Sequence, residues 1–295
     1  MASLKEIRNR VRSVTNTQKI TSAMKLVAAA KLRRSQEAAE AARPYAERLS
    51  QVIGTLSQSV DSSTSPLFRK AETTERTLII LLSSDRGLCG GFNSTLFRRT
   101  LSFVKANEGS LGEVVYAPIG SKGAGFVRRN ALTRLDGWEN QEAAATIELA
   151  RTVIGSAVHA FTQGEVDRVY IAYNRFESAL TQTPVFEQVL PLDAEVLGGT
   201  SEAADGVAGP DYLYEPSREA LLNVLLPQFL DTRAYGALLE SVASEFGARM
   251  TAMDNASNNA NDLIEKLTLQ MNRARQAIIT TELSEITAGS EALKG

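Results

Sequence analysis

Toward the C-terminus, Phe246, Met250, Met253, Ser257, Ala260, Ile264, Leu267, Met271, Ala274 and Ile278 recur at alternating spacings of four and three. A 3.5-residue period is the mark of a helix wound against a partner. No proline follows Pro227, and the only glycines between Asp231 and Gly289 are Gly236 and Gly247. Gly289 is placed to end the helix. At ~1.5 Å per residue, a helix from Asp231 to Gly289 is roughly 90 Å long. It cannot bury its stripe against itself. The pattern therefore predicts another helix in the chain, another subunit, or both.

The other end repeats the theme. Leu4, Ile7, Val11 and Val14 share the three-four spacing. The polar run Thr15 to Lys19 interrupts it, and apolar positions resume one place out at Ile20, Met24 and Val27, which predicts a change of coiled-coil register. Ala28 to Ala30, and later Ala38, Ala39, Ala41 and Ala42, predict closely approaching backbones. Pro44 predicts a kink or a local opening. Residues 57–75 are polar and read as a linker.

The middle changes type. Thr77–Ser83, Gly112–Ile119 and Asp167–Asn174 are short apolar runs of strand length, and Thr181–Leu192 reads as an extended hairpin limb. Helical patterns cover Phe92–Ala106, Ser121–Arg129 and Gln141–Phe161. Strands alternating with helices predict a parallel, Rossmann-like α/β domain from 75 to 195. Gly198 to Pro210 reads as a flexible loop. Ser217 is a plausible N-cap for a resumed helix, which Pro227 is expected to break or bend. The predicted fold is mixed: an antiparallel coiled coil of N-terminal (1–58) and C-terminal (212–288) helices, with the α/β domain inserted between them as the foot of a shaft.

Composition narrows the chemistry. Of 295 residues, 43% are apolar, enough for a sizeable core, and the net charge of −2 gives no pull toward nucleic acid. Residues 1–36 differ: nine Lys and Arg side chains stand against Glu6 alone. That end suggests an acidic partner surface or a solvated helix face. Cys89 is the only cysteine, so no disulfide or cysteine-rich metal site can form within the chain, which fits a reducing compartment. His159, the only histidine, falls in a helical pattern and reads as structural. No apolar run is long enough to span a membrane, and no signal core opens the chain.

Ser84-Asp85-Arg86-Gly87-Leu88-Cys89-Gly90-Gly91-Phe92-Asn93 lies between the first strand and a helix, where nucleotide phosphates bind in doubly wound folds. It lacks the Walker pattern and the Gly-x-Gly-x-x-Gly spacing, as does Gly120 to Gly125. The glycines then read as a tight turn and close helix–strand packing. Cys89 near a helix N-terminus could be a nucleophile, but no histidine adjoins it in sequence. No acid–base pair, metal spacing or triad is evident, so no catalytic, cofactor or metal residue is assigned.

Three stretches carry a more specific likeness. KEIRNRVRSVTNTQKITSAMKLVAAAKL near the N-terminus, SSDRGLCGGFN at 83–93, and SEFGARMTAMDNASNNANDLIEKLTLQMNRARQAIITTELSEI at the C-terminus together resemble the gamma subunit of F-type ATP synthases. The resemblance implies a non-catalytic rotor. Its coiled coil would enter a ring of alpha and beta subunits, and its foot would rest on the c-ring beside the epsilon subunit. It would touch no nucleic acid, meet the membrane only through the c-ring, and lie on the cytoplasmic face of a bacterial inner membrane. By residue, it implies that Met24 faces an acidic lever of beta, with Lys25, Lys31, Arg33 and Arg34 complementing that surface. It also implies that Arg249, Arg275, Gln276, Thr280 and Glu282 couple to Met24 or touch beta loops. Without it, Met24 reads as plain coiled-coil packing. Some photosynthetic members carry a cysteine pair before the C-terminal helix. This chain has none, so a dithiol switch within it is excluded. A static coiled-coil scaffold shares the periodicity, and a nucleotide-dependent enzyme using Gly87 to Gly91 is a third reading.

Overall fold

Leu78 to Leu82 are all apolar and all but fully buried, so their strand has both faces covered. In the computed structural model, which describes residues 4–57, 65–140, 145–193 and 217–292, this strand is β1 (Arg76–Leu82). It pairs in parallel with β2 (Glu113–Ile119) on one side and β3 (Arg168–Phe176) on the other. As the hairpin limb expected at Thr181–Leu192 requires, β4 (Gln182–Leu190) returns antiparallel along β3, making a mixed sheet of order β2-β1-β3-β4. The turn at 177–181 is too short for the crossover that parallel pairing requires.

The helices are α1 (Leu4–Ser57), α2 (Phe92–Ala106), α3 (Glu108–Leu111), α4 (Ser121–Arg129), α5 (Ile147–Thr162) and α6 (Arg218–Ala292). The predicted start of α5 at Gln141 lies outside the described residues. In the structure Thr146 caps it, its side chain accepting the Leu149 N–H. Ser217 caps α6 by accepting the Ala220 N–H. Pro227 does not break α6 and Gly289 does not end it. Pro44 likewise lies inside α1. Both prolines are exposed, so the carbonyls they leave unpaired can turn to water. The loop predicted at Gly198 to Pro210, and residues 58–64 of the predicted linker, lie outside the described residues. Within that linker a short 3₁₀ turn, Pro66–Phe68, buries Leu67.

The chain divides into two units, residues 29–249 and residues 1–28 with 250–295. In the first, α2 and α4 cover the sheet face that carries Ile79, Leu81 and Tyr116. The opposite face, with Leu78, Ile80 and Leu82, is covered by α5, by Leu49, Ile53 and Leu56 of α1, and by Leu222, Leu226 and Phe229 of α6. Helices thus lie on both faces, as in doubly wound folds. Ala39 and Ala42, expected at a close helix approach, stand with Ala46 at a cleft. The cleft, of about 820 Å3, is shared with Tyr173, Glu187 and Arg233.

In the second unit the first part of α1 runs antiparallel to α6. Thr21 meets Ser257 and Lys25 meets Asp254, so the paired residue numbers sum to 278 and 279. The α1 seam runs Ile7, Val11, Val14, Gln18, Thr21, Lys25 and Ala28, each buried or half-buried. It therefore crosses the polar run without the predicted change of register. Ile20 and Val27, expected in the seam, are 60% and 57% exposed. Thr21 and Lys25 hold seam positions because they find partners across the pair, in Ser257 and Asp254.

Candidate partner interface

The apolar residues that left the seam form a stripe of their own. Ile20, Ala23, Met24 and Val27 follow i, i+3, i+4, i+7 on α1, and so share one helix face. Ile20, Ala23 and Val27 are exposed and Met24 is half-buried. Met24 thus stands at the boundary between the seam and an outward apolar stripe. Beside it, Lys25 Nζ donates to Asp254 Oδ1 at 2.6 Å, with both side chains about two-fifths exposed. Such a wet pair contributes no more than about 1 kcal/mol, but it fixes the lysine's direction.

The far end of α6 is bare. Carried along the pair, the register brings Leu4 level with Ala274, which is half-buried. From Arg275 to Ser290 every residue is exposed. Ile278, Ile279, Leu283 and Ile286 stand in that stretch, Ile286 at 69% exposed. An isolated helix gains nothing from such residues in water, and exposed apolar area of this kind marks an interaction surface. Of the residues singled out from sequence, Arg275, Gln276, Thr280 and Glu282 lie on this segment. The Thr280 hydroxyl donates back to the Gln276 carbonyl at 2.9 Å.

Arg249 has a different setting. It is buried on α6, and its Nη1 donates to Glu245 Oε1 at 2.6 Å, one turn earlier. Its Nη2 donates to the carbonyls of Gly87 and Arg86 at 3.2 and 3.4 Å. The guanidinium thereby ties α6 to the glycine-bearing turn. Burial pushes the Glu245 carboxyl upward, and Arg249 opposes that. Nearby, Lys31 Nζ lies over the Phe246 ring at 5.1 Å, while Arg33 pairs with Glu37 at 2.8 Å in solvent.

That turn lies at the carboxyl end of β1, where the crossovers depart to opposite sides. Ligands of doubly wound folds bind at this switch point. Here the polar groups serve the chain itself. Asn93 Oδ1 accepts the Ser84 N–H at 3.1 Å, and Asn93 Nδ2 donates to Ser84 Oγ at 2.7 Å. Asp85 Oδ1 accepts from the Ser121 N–H and hydroxyl and from the Asn140 N–H, at 2.8 to 2.9 Å. Gly120 has φ +89°, and a Cβ there would meet the Ser83 carbonyl oxygen at 2.3 Å, so this glycine is required by close approach. The space behind the turn, between Ser84, Asp85, Gly120 and Glu245, is about 30 Å3. It has room for water, not for a nucleotide. Cys89 is buried with its thiol pushed up by burial, the reverse of an activated nucleophile. His159 is exposed on α5.

A sequence profile of the ATP synthase family matches residues 3–293. The chain is 48% identical to the ATP synthase gamma chain of Geotalea daltonii and 42% identical to that of Prosthecochloris aestuarii, with each chain covered in full. The chain belongs to the gamma family of ATP synthases. Among solved structures, the gamma fold here resembles a chain of the Tetrahymena thermophila mitochondrial ATP synthase central stalk and c-ring, with TM-score 0.58 and 27% identity over 81% of this chain and 99% of that one. A chain of the Euglena gracilis mitochondrial ATP synthase shares the fold at TM-score 0.67 and 20% identity, over 98% and 94% of the two chains. No helix among the described residues of this gamma family member is long and apolar enough to cross a membrane.

Sequence reasoning missed three features of this geometry: the Thr21–Ser257 contact, the Lys25–Asp254 pair and the Arg249 clasp. Only the last left a local signal, an acid and a base four residues apart inside an otherwise apolar stretch of helix.

Proposed function

We propose that this chain is the central rotor shaft of a proton-translocating ATP synthase, turning with the c-ring and driving conformational change in catalytic beta subunits. The observation that carries this reading is the end-to-end match to gamma chains, which includes both long helices. ATP is made on beta, and this chain contributes no catalytic group. Its partners are the alpha–beta ring, the epsilon subunit and the c-ring, and it meets the cytoplasmic face of a bacterial membrane only through the c-ring.

The bare α6 segment supports a place inside the ring. A bearing surface that must slip needs apolar contact without deep ion pairing, and Ile278, Ile279, Leu283 and Ile286 supply it. In this reading Met24 and its apolar stripe face the acidic lever of beta, with Lys25 held beside them by Asp254. Arg275, Gln276, Thr280 and Glu282 touch beta loops. Arg249 keeps the coupling segment of α6 in place.

Reconstitution with purified alpha and beta subunits tests the reading. Steady ATPase activity should appear only when this chain is present. Equal activity without it, or failure of the chain to co-assemble, would leave a static scaffold as the better description.

A further inference from the structure

Helices α2 and α4 lie side by side on one face of the sheet, with the rings of Phe97 and Phe126 stacked at 4.4 Å between them. They carry Arg98, Arg99, Lys105, Lys122, Arg128 and Arg129, and neither contains an Asp or Glu. All six cations are exposed, and none makes an ion pair among the described residues. The whole chain is slightly acidic, with net charge −2, so this is not the local face of a basic protein. The helices α1, α5 and α6 cover the opposite sheet face and leave this one open.

Like charges gathered without partners repel one another, and their summed field attracts an anionic surface. We infer that the α2–α4 face docks an acidic protein surface on another subunit of the complex that the chain joins. The inference rests on the functional reading above. Four of the six cations are arginines, whose planar forks pair bidentately with carboxylates. Leu101, at 42% exposed, supplies apolar contact within a charged rim, the ordinary anatomy of a protein interface. An anionic lipid surface would also be attracted. Lipid binding, however, needs several apolar side chains standing clear of the cations to enter the acyl boundary. Leu101 is the only large apolar residue so exposed on these two helices.

Lys105 and Lys122 make the test direct. The intact complex, purified through a tag on beta, is treated with a carbodiimide that joins amines to carboxylates in contact, and linked peptides are read by mass spectrometry. A parallel sample is acetylated and compared with the free full-length chain. The expected result is a link from Lys105 or Lys122 to an Asp or Glu of another subunit, with several-fold slower acetylation of both lysines in the complex. The double variant Arg98→Glu, Arg128→Glu should lose the link. It leaves both lysines and the buried faces of α2 and α4 unchanged, and far-UV circular dichroism of the free variant chain reports folding. Absence of the chain from the tagged complex would overturn the functional reading and this inference with it. Presence of the chain with both lysines as open as in the free chain would overturn this inference alone. Cosedimentation of the full-length chain with phosphatidylglycerol vesicles, lost in the same double variant, would overturn it in favour of a lipid surface.

Discussion

The hydroxyls of Thr21 and Ser257 lie 2.7 Å apart inside the seam between α1 and α6, both buried. The Thr21 hydroxyl also donates to the Gln18 carbonyl at 3.0 Å. A buried hydroxyl without a partner is costly, whereas removing both hydroxyls together is nearly neutral. Thr21→Val alone should therefore lower the stability of the helical pair by about 1–2 kcal/mol in urea unfolding followed by helix content. The double variant Thr21→Val, Ser257→Ala should recover most of that loss. Additive losses would mean that the hydroxyls do not interact.

Among the described residues, Arg249 and Glu245 form the most buried ion pair, with side chains 10% and 7% exposed. Removing one member strands the other. Arg249→Met should cost about 3–5 kcal/mol, and adding Glu245→Gln should return much of it. The pH dependence has a definite sign. The folded-state pKa of Glu245 is raised above 4.5, chiefly by burial. The folded state therefore holds this proton more tightly than the unfolded chain. Stability from this group is full below the unfolded value and declines as pH rises from there through the folded value. Loss of Arg249 should widen that window upward. Urea midpoints of Arg249→Met, compared with those of the Glu245→Gln double variant, should diverge as pH rises. Parallel curves would contradict the clasp.

Cys89 should behave as a core residue. With 2% exposure and a thiol pushed up by burial, it should resist a thiol reagent in the native chain at neutral pH and react fully in urea. Rapid labelling of the folded chain would mean that the turn opens readily.

Much of this architecture was legible from spacing alone. The α6 seam from Met250 to Ala274 follows the apolar positions, and β1 to β3 follow the short apolar runs. The register of α1 was not legible. Hydropathy favours Ile20 and Val27 over Thr21 and Lys25, and nothing local reveals that Ser257 and Asp254 wait opposite. The same error hid a candidate contact: the stripe mistaken for seam faces outward. Asp85 and Arg249 were equally opaque, because their partners come from distant segments. The antiparallel return of β4 was legible as a hairpin limb, because the connection after β3 is too short for a crossover.

Met24 tests the functional half of the account. Met24→Lys places a second cation beside Lys25 at the edge of the apolar stripe. In the assembled enzyme it should reduce proton pumping per ATP hydrolysed while leaving hydrolysis near the parent rate. Unchanged pumping would remove Met24 from the coupling surface.

The bare end of α6 separates fold from function. Deleting residues 278–295 removes no buried described side chain, so chain stability should change by no more than about 0.5 kcal/mol. Rotation by the assembled variant should become weaker or irregular. Smooth, full-torque rotation would refute a bearing role for this segment.

The most direct measurement fixes the beta subunits of the reconstituted complex to a surface and attaches a probe to the α/β unit of this chain through a cysteine placed at the exposed Gln163, with Cys89 changed to Ser. On addition of ATP the probe should turn continuously in one direction. Sustained hydrolysis with a stationary probe would contradict the central claim that this chain is a rotor.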